Sequence, residues 1–395
     1  MRGTRGRAIG LWIVCLMLLA MMLAACGGEE TATTTTTAAG STTTAAGSTT
    51  TAAGSTTTAP PAELTKVTFA LTNARAIQYH PFYIAKYLGY FEAEGLDVEI
   101  VVVNGTGAAV QQVVAGNVNI ANPAAPGTAQ GVAAGNCLKI FYEYHYENVF
   151  GLATPESGPI QTLADLAGKV IGVSDPAGGE VPVMRALMAS AGLAENSDYT
   201  FAAIGEGGAL TYESLSNGTA AAYSSSNFDI AALTAAGMPL RQLLPAEFKY
   251  FPSNSPTVTC DYYEANKALL TGFGRAVAKA TVFSMANPDA AKEITKFYQP
   301  ELFEDEALAN AFWDVTIGMM TPPPELAGQP LGTANIPGWE QYLAFASQGT
   351  VEEGALPADS VDLAVLVTDE LIPEINNFDK AAVEAEAAAF PGVSG

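Results

Sequence analysis

The chain contains few of the residues on which catalysis and metal binding usually depend. Its 395 residues include two histidines and four cysteines, and no two cysteines form a C-x-x-C pair. The sequence also lacks a G-x-S-x-G elbow, a P-loop, an H-E-x-x-H helix and a dinucleotide-binding glycine pattern. These absences argue against an enzyme, and the sequence predicts neither a cofactor nor a metal site.

Basic residues are also scarce. Lysine and arginine number 17 against 40 aspartates and glutamates, which gives a formal net charge of −23. Removing the three arginines of the first 25 residues takes this charge from −23 to −26. So acidic a surface repels nucleic acid and anionic lipid, and nucleic acid is therefore not an expected partner.

The N-terminal segment is too short to span a membrane. Three arginines within the first seven residues precede an apolar run from Leu11 to Ala25, whereas a bilayer needs roughly 20 residues. We interpret residues 1–25 as a signal peptide that ends at Leu-Ala-Ala-Cys26, which is similar to the lipobox of bacterial lipoproteins. Lipidated Cys26 would anchor the protein to the outer face of the cell membrane. The alternative is an ordinary signal peptide with an incidental cysteine.

Residues 26–63 have almost nothing to bury. The unit Thr-Thr-Thr-Ala-Ala-Gly-Ser occurs three times between Thr35 and Ser55. No position of this repeat is a large apolar residue, which excludes a coiled coil. We therefore expect a disordered tether between membrane and body, about 30 Å long on average. The sequence leaves open whether this threonine-rich tether is glycosylated.

The body of the chain alternates short apolar strands with helices. Strands are predicted at Lys66–Leu71, Asp97–Val103, Val118–Ala121, Leu138–Tyr144, Val170–Val173, Ala220–Tyr223, Leu240–Leu244 and Thr257–Cys260. The principal helices are predicted at Pro81–Leu88, Ala108–Ala115, Ala129–Ala134, Val181–Ser190, Leu210–Asn217, Ile230–Ala235, Asn266–Ser284, Pro288–Phe297, Trp339–Gln348 and Asp379–Ala389. This order predicts an α/β protein with largely parallel sheets and helices on both faces.

The second strand–helix series is inserted into the first, which predicts two lobes. Lobe I would comprise residues 64–148 and 253–395, and lobe II residues 149–252. The chain would then cross between the lobes twice, near His145–Phe150 and near Tyr250–Pro256. A few residues at such boundaries can absorb a hinge rotation.

Four sequence blocks carry a family resemblance. They are Tyr-His-Pro-Phe-Tyr-Ile-Ala-Lys-Tyr-Leu-Gly-Tyr-Phe at 79–91, Val-Val-Ala-Gly-Asn-Val-Asn at 113–119, Leu-Ala-Asp-Leu-Ala-Gly-Lys-Val-Ile-Gly-Val at 163–173 and Met-Ala-Asn-Pro-Asp-Ala-Ala at 285–291. Together they resemble the periplasmic binding proteins of the nitrate, sulfonate, taurine and thiamine-pyrimidine-precursor group. The resemblance implies a type II periplasmic binding protein fold, in which a two-crossing hinge joins two α/β lobes around a cleft.

A ligand in such a fold is expected outside the carboxyl ends of the strands. The loops there are rich in glycine, serine and asparagine, and aromatic residues lie in or beside them. The candidate ligand-binding residues are Asn73, Arg75, Gln78, Tyr79, His80, Phe82, Gly105, Thr106, Asn122, Tyr144, Ser174, Gly178, Gly179, Glu180, Tyr223, Ser225 and Asn227. Their alternative roles are structural, because asparagine and serine also cap helices and form turns. For Glu180 the alternative role is to complement the dipole of the helix that it begins.

The resemblance further implies a monomer that captures a small molecule for an ABC permease and its ATPase. A sensor-linked binding protein is an alternative. An enzyme similar to the fungal pyrimidine synthases is a remote one, because their cysteine-rich motif is missing here.

The candidate residues favour a particular class of ligand. Tyr79, Phe82, Tyr144 and Tyr223 can stack on a ring, and Arg75 is the one base in the candidate loops. We therefore expect a flat heteroaromatic solute such as a thiamine-precursor-like pyrimidine. The rival is a sulfonate, nitrate or related small anion, which would prefer more than one cation.

Two cysteines remain in the body, Cys137 and Cys260. In the resembled fold the chain returns to the first sheet as an antiparallel strand, which would bring these two residues together. A disulfide is expected in an oxidising compartment. Two separate buried thiols are the alternative.

We predict that Cys26→Ala releases the protein from membranes, because no acyl chain would remain to hold it. Membrane fractionation with intact-mass analysis of the N-terminal peptide measures this. Cys15→Ala, which alters the other N-terminal cysteine, should leave the protein anchored. Cleavage at another residue without an acyl mass on Cys26 would contradict the prediction.

Overall fold

The computed structural model describes residues 63–176, 178–348 and 355–393. The predicted signal peptide, Cys26 and the tether up to residue 62 lie outside the described residues. The strands are β1 (Thr65–Leu71), β2 (Leu96–Val102), β3 (Ile120–Ala121), β4 (Leu138–Ile140), β5 (Phe150–Pro155), β6 (Lys169–Val173), β7 (Tyr199–Ala203), β8 (Ala222–Ser226), β9 (Leu240–Gln242) and β10 (Thr257–Thr259).

Helices account for half of the remaining described residues. They are α1 (His80–Tyr87), α2 (Tyr90–Ala93), α3 (Gly105–Val114), α4 (Ala125–Ala133), α5 (Glu180–Ser190), α6 (Ala209–Ser216), α7 (Asn227–Ala235), α8 (Cys260–Ala265), α9 (Lys267–Ala286), α10 (Pro288–Tyr298), α11 (Glu306–Met320), α12 (Ile336–Ala346), α13 (Leu363–Leu366), α14 (Ile372–Ile375) and α15 (Lys380–Ala388). None of these helices is both long and apolar enough to cross a bilayer.

The strands form two five-stranded sheets, in the orders β2-β1-β3-β10-β4 and β7-β6-β8-β5-β9. In the first sheet β1 is parallel to β2 and β3, while β10 is antiparallel to β3 and β4. In the second sheet β6 is parallel to β7 and β8, while β5 is antiparallel to β8 and β9. Each sheet thus has one antiparallel strand, which is the first strand after a crossing. The expected antiparallel return strand is therefore present.

The Gly-Tyr-Phe turn between α1 and β2 packs into the core, as its aromatic residues predict. Gly89 has a φ of 72°, a left-handed conformation that glycine adopts readily. Tyr90 and Phe91 follow it in α2 and are both buried. The ring of Phe91 stacks on Phe273 of α9 with 5.1 Å between the ring centroids. The turn thus fastens α1 and β2 to the 20-residue helix α9.

The two segments that connect the sheets lie side by side. The backbone N–H of His145 donates to the carbonyl of Asn254 at 3.1 Å, and the N–H of Ser253 donates to the carbonyl of His145 at 3.2 Å. Further along, the N–H of Asn148 donates to the carbonyl of Lys249 at 2.9 Å. The outgoing and returning chains therefore form one hydrogen-bonded connection between the sheets.

A disulfide joins Cys137 and Cys260, whose Cα atoms lie 5.4 Å apart. Cys137 precedes β4 and Cys260 follows β10, and the pairing of Leu138 with Thr259 brings these ends together. The bond closes a loop with a sequence separation of 123 residues, which contains the whole second sheet. This is the pairing expected from an antiparallel return strand.

Several element boundaries differ from those that the sequence predicts. β4 ends at Ile140 rather than at Tyr144, because the chain leaves the sheet there towards the first crossing. β8 extends to Ser226 rather than ending at Tyr223, so Ser225 lies in a strand and not in a loop. Helix α3 begins at Gly105, within the predicted loop.

Three of the elements are missing from the sequence prediction. β5 contains a glycine and ends in a proline, which strands disfavour. β7 reads Tyr-Thr-Phe-Ala-Ala and is too short for a pattern. The 15-residue α11 packs against both α7 and the 3₁₀ turn Ala76–Tyr79. Its buried residues, Ala309, Phe312, Trp313, Thr316 and Met319, recur at helical spacing, so α11 does carry the apolar stripe by which a helix is usually predicted.

Removing the disulfide should lower the free energy of unfolding. In the chain-entropy model a loop of this length contributes up to about 4–5 kcal/mol, and measured effects are often smaller. We expect the Cys137→Ser/Cys260→Ser variant to unfold at lower urea concentration than the wild type. Dithiothreitol should lower the urea midpoint of the wild type and leave that of the double variant unchanged. Equal midpoints for both proteins without reductant would be the contrary result.

Candidate functional site

The loop after β1 is held together by its own side chains. Asn73 Nδ2 donates to Gln78 Oε1 at 3.1 Å and to the Tyr79 hydroxyl at 3.2 Å. Asn73 Oδ1 accepts from the backbone N–H of Arg75 at 2.9 Å. The hydroxyls of Thr72 and Tyr79 lie 2.7 Å apart. These bonds fix the loop at the carboxyl end of β1.

Asn122 follows β3, and its side chain is fully buried with no hydrogen-bond partner. It is 0% exposed, and neither Nδ2 nor Oδ1 is bonded to any of the described residues. The backbone carbonyl of Asn122 accepts from Asn254 Nδ2 at 2.9 Å, and the same nitrogen lies 3.5 Å from Thr72 Oγ1. The free amide therefore lies beside the first loop and the returning crossing, with donors and an acceptor available.

His145, on the outgoing crossing, is a second buried group with unused hydrogen-bonding capacity. Neither ring nitrogen makes a well-formed hydrogen bond within the described residues. Its ring centroid lies 6.4 Å from that of Tyr79 and 4.1 Å from that of Tyr144. Burial lowers the pKa of His145 to about 3, outweighing the nearby Gln78 backbone and Asn254 side chain. The neutral ring offers one donor and one acceptor.

Glu180 fixes the loop that follows β6 in the second sheet. It begins α5 and is 2% exposed. Its Oε1 accepts from the backbone N–H of Ser174 at 2.9 Å and from the Ser174 hydroxyl. Burial raises the pKa of Glu180, and the neighbouring Asp229 acts in the same direction. These contacts match the helix-start alternative, and contact between Glu180 and a ligand stays a prediction.

An ion pair joins the loops of the two sheets. Arg75 Nη2 lies 2.9 Å from Asp229 Oδ1, and the two side chains are 17% and 6% exposed. The guanidinium carbon lies 5.1 Å from the ring centroid of Phe228 and 5.3 Å from that of Phe312. Arg75 is therefore neutralised by a carboxylate and flanked by two aromatic rings.

Apart from Glu180, Ser174 and Phe312, the groups described so far share one region, which we call the junction. It comprises residues 72–79, 122, 145–148, 225–229 and 254. Of the predicted candidates it contains Asn73, Arg75, Gln78, Tyr79, Asn122, Ser225 and Asn227. The Tyr144 hydroxyl reaches its edge and donates to the Gln78 carbonyl at 2.7 Å.

Three aromatic candidates have partners in the interiors of the two sheet regions. Phe82 packs on Phe69 with 4.6 Å between the ring centroids. His80 Nε2 lies 2.7 Å from the Ser284 hydroxyl. The Tyr223 hydroxyl donates to a backbone carbonyl at 2.7 Å. These contacts give each side chain a structural role, while a role in ligand binding stays a prediction.

The glycine candidates and Thr106 shape the backbone around the junction. Gly105 has a φ of 86°, a conformation that favours glycine. Thr106 accepts from a backbone N–H next to α4 at 3.4 Å. An added Cβ would overlap the Glu180 carboxylate at Gly178 and lie 2.7 Å from an aromatic ring of β5 at Gly179. Close packing therefore explains why glycine occupies positions 178 and 179.

Sequence reasoning did not nominate several residues of the junction. Asp229 has a signal in Ser226-Asn-Phe-Asp229, a capping pattern that places a carboxylate at a helix start. Asn254 lies in the Pro-Ser-Asn-Ser-Pro break, where the sequence indicates only a crossing. Phe312, which contacts Arg75 from outside the junction, lies in α11, a helix missing from the sequence prediction. The roles of these residues follow from long-range contacts.

A pocket of about 280 Å³ lies away from these residues, between α12 and residues 356–361. Leucine, alanine, proline and valine line most of it, and Asp359 is its one charged residue. It shares no residue with the junction. We therefore assign the candidate site to the junction, where Asn122, His145 and Asn148 have buried side-chain atoms without a hydrogen-bond partner among the described residues.

The architecture is that of known periplasmic binding proteins. A protein of Bordetella bronchiseptica RB50 is similar with a TM-score of 0.61 and 24% identity, over 80% of this chain and 98% of that one. The alkanesulfonate-binding protein SsuA of Xanthomonas axonopodis pv. citri, bound to MOPS, has a TM-score of 0.57 and 14% identity, over 78% and 99%. The two sheets and two crossings thus form a type II periplasmic binding protein fold.

The family model described as NMT1/THI5 like matches residues 76–291. The match covers more than half of the 395 residues, and the chain belongs to this family. The riboflavin-binding protein RibY of Chloroflexus aurantiacus is 25% identical over 241 residues, which is 60% of this chain and 68% of the relative. The family and the fold are those of substrate-binding proteins.

Acid should destabilise the fold through its two histidines. Burial lowers the pKa of His80 to about 4 and that of His145 to about 3, from an ordinary value of 6.5. Below about pH 6.5 the unfolded chain binds protons that the folded chain does not. The free energy of unfolding therefore falls as pH drops, by roughly 2 kcal/mol per histidine at about pH 5.

The variant His145→Gln removes one of these two contributions. Its stability, measured by urea unfolding, should approach that of the wild type as the pH falls from about 7 to about 5. The comparison uses the difference between the two proteins, so other titrating groups cancel. Stability curves that stay parallel over this range would contradict the pKa assignment.

Proposed function

We propose that this chain is the extracytoplasmic solute-binding component of an ABC-type importer. Its solute in this proposal is a small, flat, neutral or weakly cationic heteroaromatic molecule, such as a thiamine-precursor-like pyrimidine. The protein acts as a monomer, held to the outer face of the membrane through lipidated Cys26. It delivers the solute to a permease driven by an ATPase.

The buried amide of Asn122 is the observation that carries this proposal. A buried amide without partners costs about 1–3 kcal/mol per unsatisfied group, so folding alone does not favour it. An aminopyrimidine edge carries a ring-nitrogen acceptor next to an amino donor, which complements an amide that offers both. The neutral His145 ring adds one donor and one acceptor. These neutral groups suit an uncharged solute.

The charges of the junction also favour a solute without negative charge. Arg75 is engaged by Asp229 at 2.9 Å, and Glu180 lies near enough to Asp229 for their charges to interact. A sulfonate or nitrate ion would meet one neutralised cation and two carboxylates. Binding an anion there would leave a buried negative charge without compensation.

Two aromatic residues and the similarity to RibY support a planar heteroaromatic solute. Tyr79 and Tyr144 lie at the junction, where aromatic faces can stack on a planar solute. RibY is named a riboflavin-binding protein, and riboflavin contains a pyrimidine ring within a flat heteroaromatic system. SsuA, named for alkanesulfonate, represents the anion alternative.

Transport and sensing require different partners although they share the binding step. Neighbouring genes for a permease and an ATPase would favour import, as would loss of solute uptake when the gene is deleted. Normal uptake together with loss of a transcriptional response would instead favour a sensor-linked role.

Calorimetry with a defined solute panel tests the proposed ligand class. The panel comprises aminopyrimidines and riboflavin beside taurine, methanesulfonate and nitrate. We expect a member of the first group to bind with a micromolar or lower dissociation constant, about −8 kcal/mol or stronger. Asn122→Ala should weaken that binding about 10–100-fold, since one or two hydrogen bonds are lost.

Asn117→Ala is the matched control for this experiment. Asn117 is exposed and lies at the opposite end of the β3 region from Asn122. Its removal should leave the affinity unchanged. Tight binding of any anion that is lost in Arg75→Ala and kept in Glu180→Gln would overturn the ring class and leave a solute-binding role standing.

A further inference from the structure

The carboxylate of Asp229 is surrounded by hydrogen-bond donors. Its Oδ1 accepts from Arg75 Nη2 at 2.9 Å. Its Oδ2 accepts from the hydroxyls of Ser225 at 2.6 Å and Ser226 at 2.7 Å. The residue is 4% exposed and lies in the first turn of α7, a nine-residue helix. The carboxylate therefore also lies at the positive end of the helix dipole.

This donor set is what a small oxyanion requires. A guanidinium group, two hydroxyls and a helix N-terminus are all groups that stabilise the oxygens of nitrate, sulfonates or carboxylates. In this protein the Asp229 side chain uses the guanidinium and both hydroxyls. An external anion would find both hydroxyls and one guanidinium N–H engaged, and a buried like charge beside them.

The pairing is also the charge-bearing contact between the two sheet regions. Arg75 belongs to the loop after β1, whereas Asp229 belongs to α7, which follows β8. Phe228 of α7 and Phe312 of α11 pack edge to face with 5.6 Å between their ring centroids, and the guanidinium carbon lies 5.1 and 5.3 Å from these centroids. Among the described residues, no other lysine or arginine forms an ion pair with Asp229.

We propose that Asp229 is a specificity-determining residue, which excludes oxyanions by occupying the donors of Arg75, Ser225 and Ser226. The protein's own carboxylate takes the place of an anionic ligand and leaves the rest of the junction to an uncharged solute. This inference rests on the proposed solute-binding function and adds the residue that sets the charge of the solute.

Asp229→Asn tests the inference, because the amide keeps the size of the carboxylate and removes its charge. Arg75 then lacks its counter-ion, and an added anion can replace it. By calorimetry we expect methanesulfonate or nitrate to bind at least tenfold more tightly to this variant than to the wild type, a gain of about 1.4 kcal/mol. The gain should disappear in Arg75→Ala/Asp229→Asn.

Asp165→Asn provides a matched control. Asp165 is also the carboxylate of a capping box, with Thr162, but it is exposed and no ion pair engages it. Its substitution makes the same change in net charge and should leave anion affinity at the wild-type level. Asp229→Ser serves as a second variant if Asp229→Asn does not fold, as judged by circular dichroism and thermal melting.

The possible outcomes distinguish two hypotheses, that Asp229 excludes oxyanions and that the solute is heteroaromatic. A gain of anion binding that depends on Arg75 supports the inference, even if no ring compound of the panel binds the wild type. Folded Asp229 variants without a gain overturn the inference and leave ring binding untouched. Arg75-dependent anion binding by the wild type itself overturns both.

Discussion

The chain passes between its two sheets twice, and the two passages are hydrogen-bonded to each other. His145 and Asn148 pair with Asn254 and Lys249 across this connection. Each passage then supplies the antiparallel strand of the sheet that it enters. The loops at the carboxyl ends of the parallel strands consequently meet beside the crossings. The disulfide after β10 ties the ends of the long inserted segment together, so the position of the junction follows from the topology.

The junction combines polar groups that compensate each other with polar groups that do not. Arg75 and Asp229 are buried together, and removing one partner of such a pair leaves a costly unpaired charge. The side chains of Asn122 and His145 are buried without a well-formed hydrogen bond to the described residues, although most buried polar groups in proteins are hydrogen-bonded. In the proposed function, the compensated pair rejects charged solutes, whereas the uncompensated groups attract a polar, uncharged solute. The unsatisfied groups therefore lower the free energy of unfolding at the place where binding is proposed.

Local patterns in the sequence predict most elements, whereas long-range contacts decide the site. The strands around Phe69 and Val98 and the turn at Gly89 follow from hydrophobic runs and glycine positions. The loop residues Asn122 and Arg75 are also recognisable, because they stand between a strand and a helix. Their partners are not, since Asp229 lies 154 positions from Arg75. No local rule distinguishes an asparagine that caps a helix from one whose amide is left free, and tertiary packing alone makes that difference.

A crystal structure with the tightest-binding solute would test the central claim most directly. The account predicts a planar, uncharged molecule whose ring edge is hydrogen-bonded to the Asn122 amide, with the Arg75–Asp229 pair intact between the two sheet regions. A solute whose anionic oxygens lie on the Arg75 guanidinium, with Asp229 displaced, would contradict it.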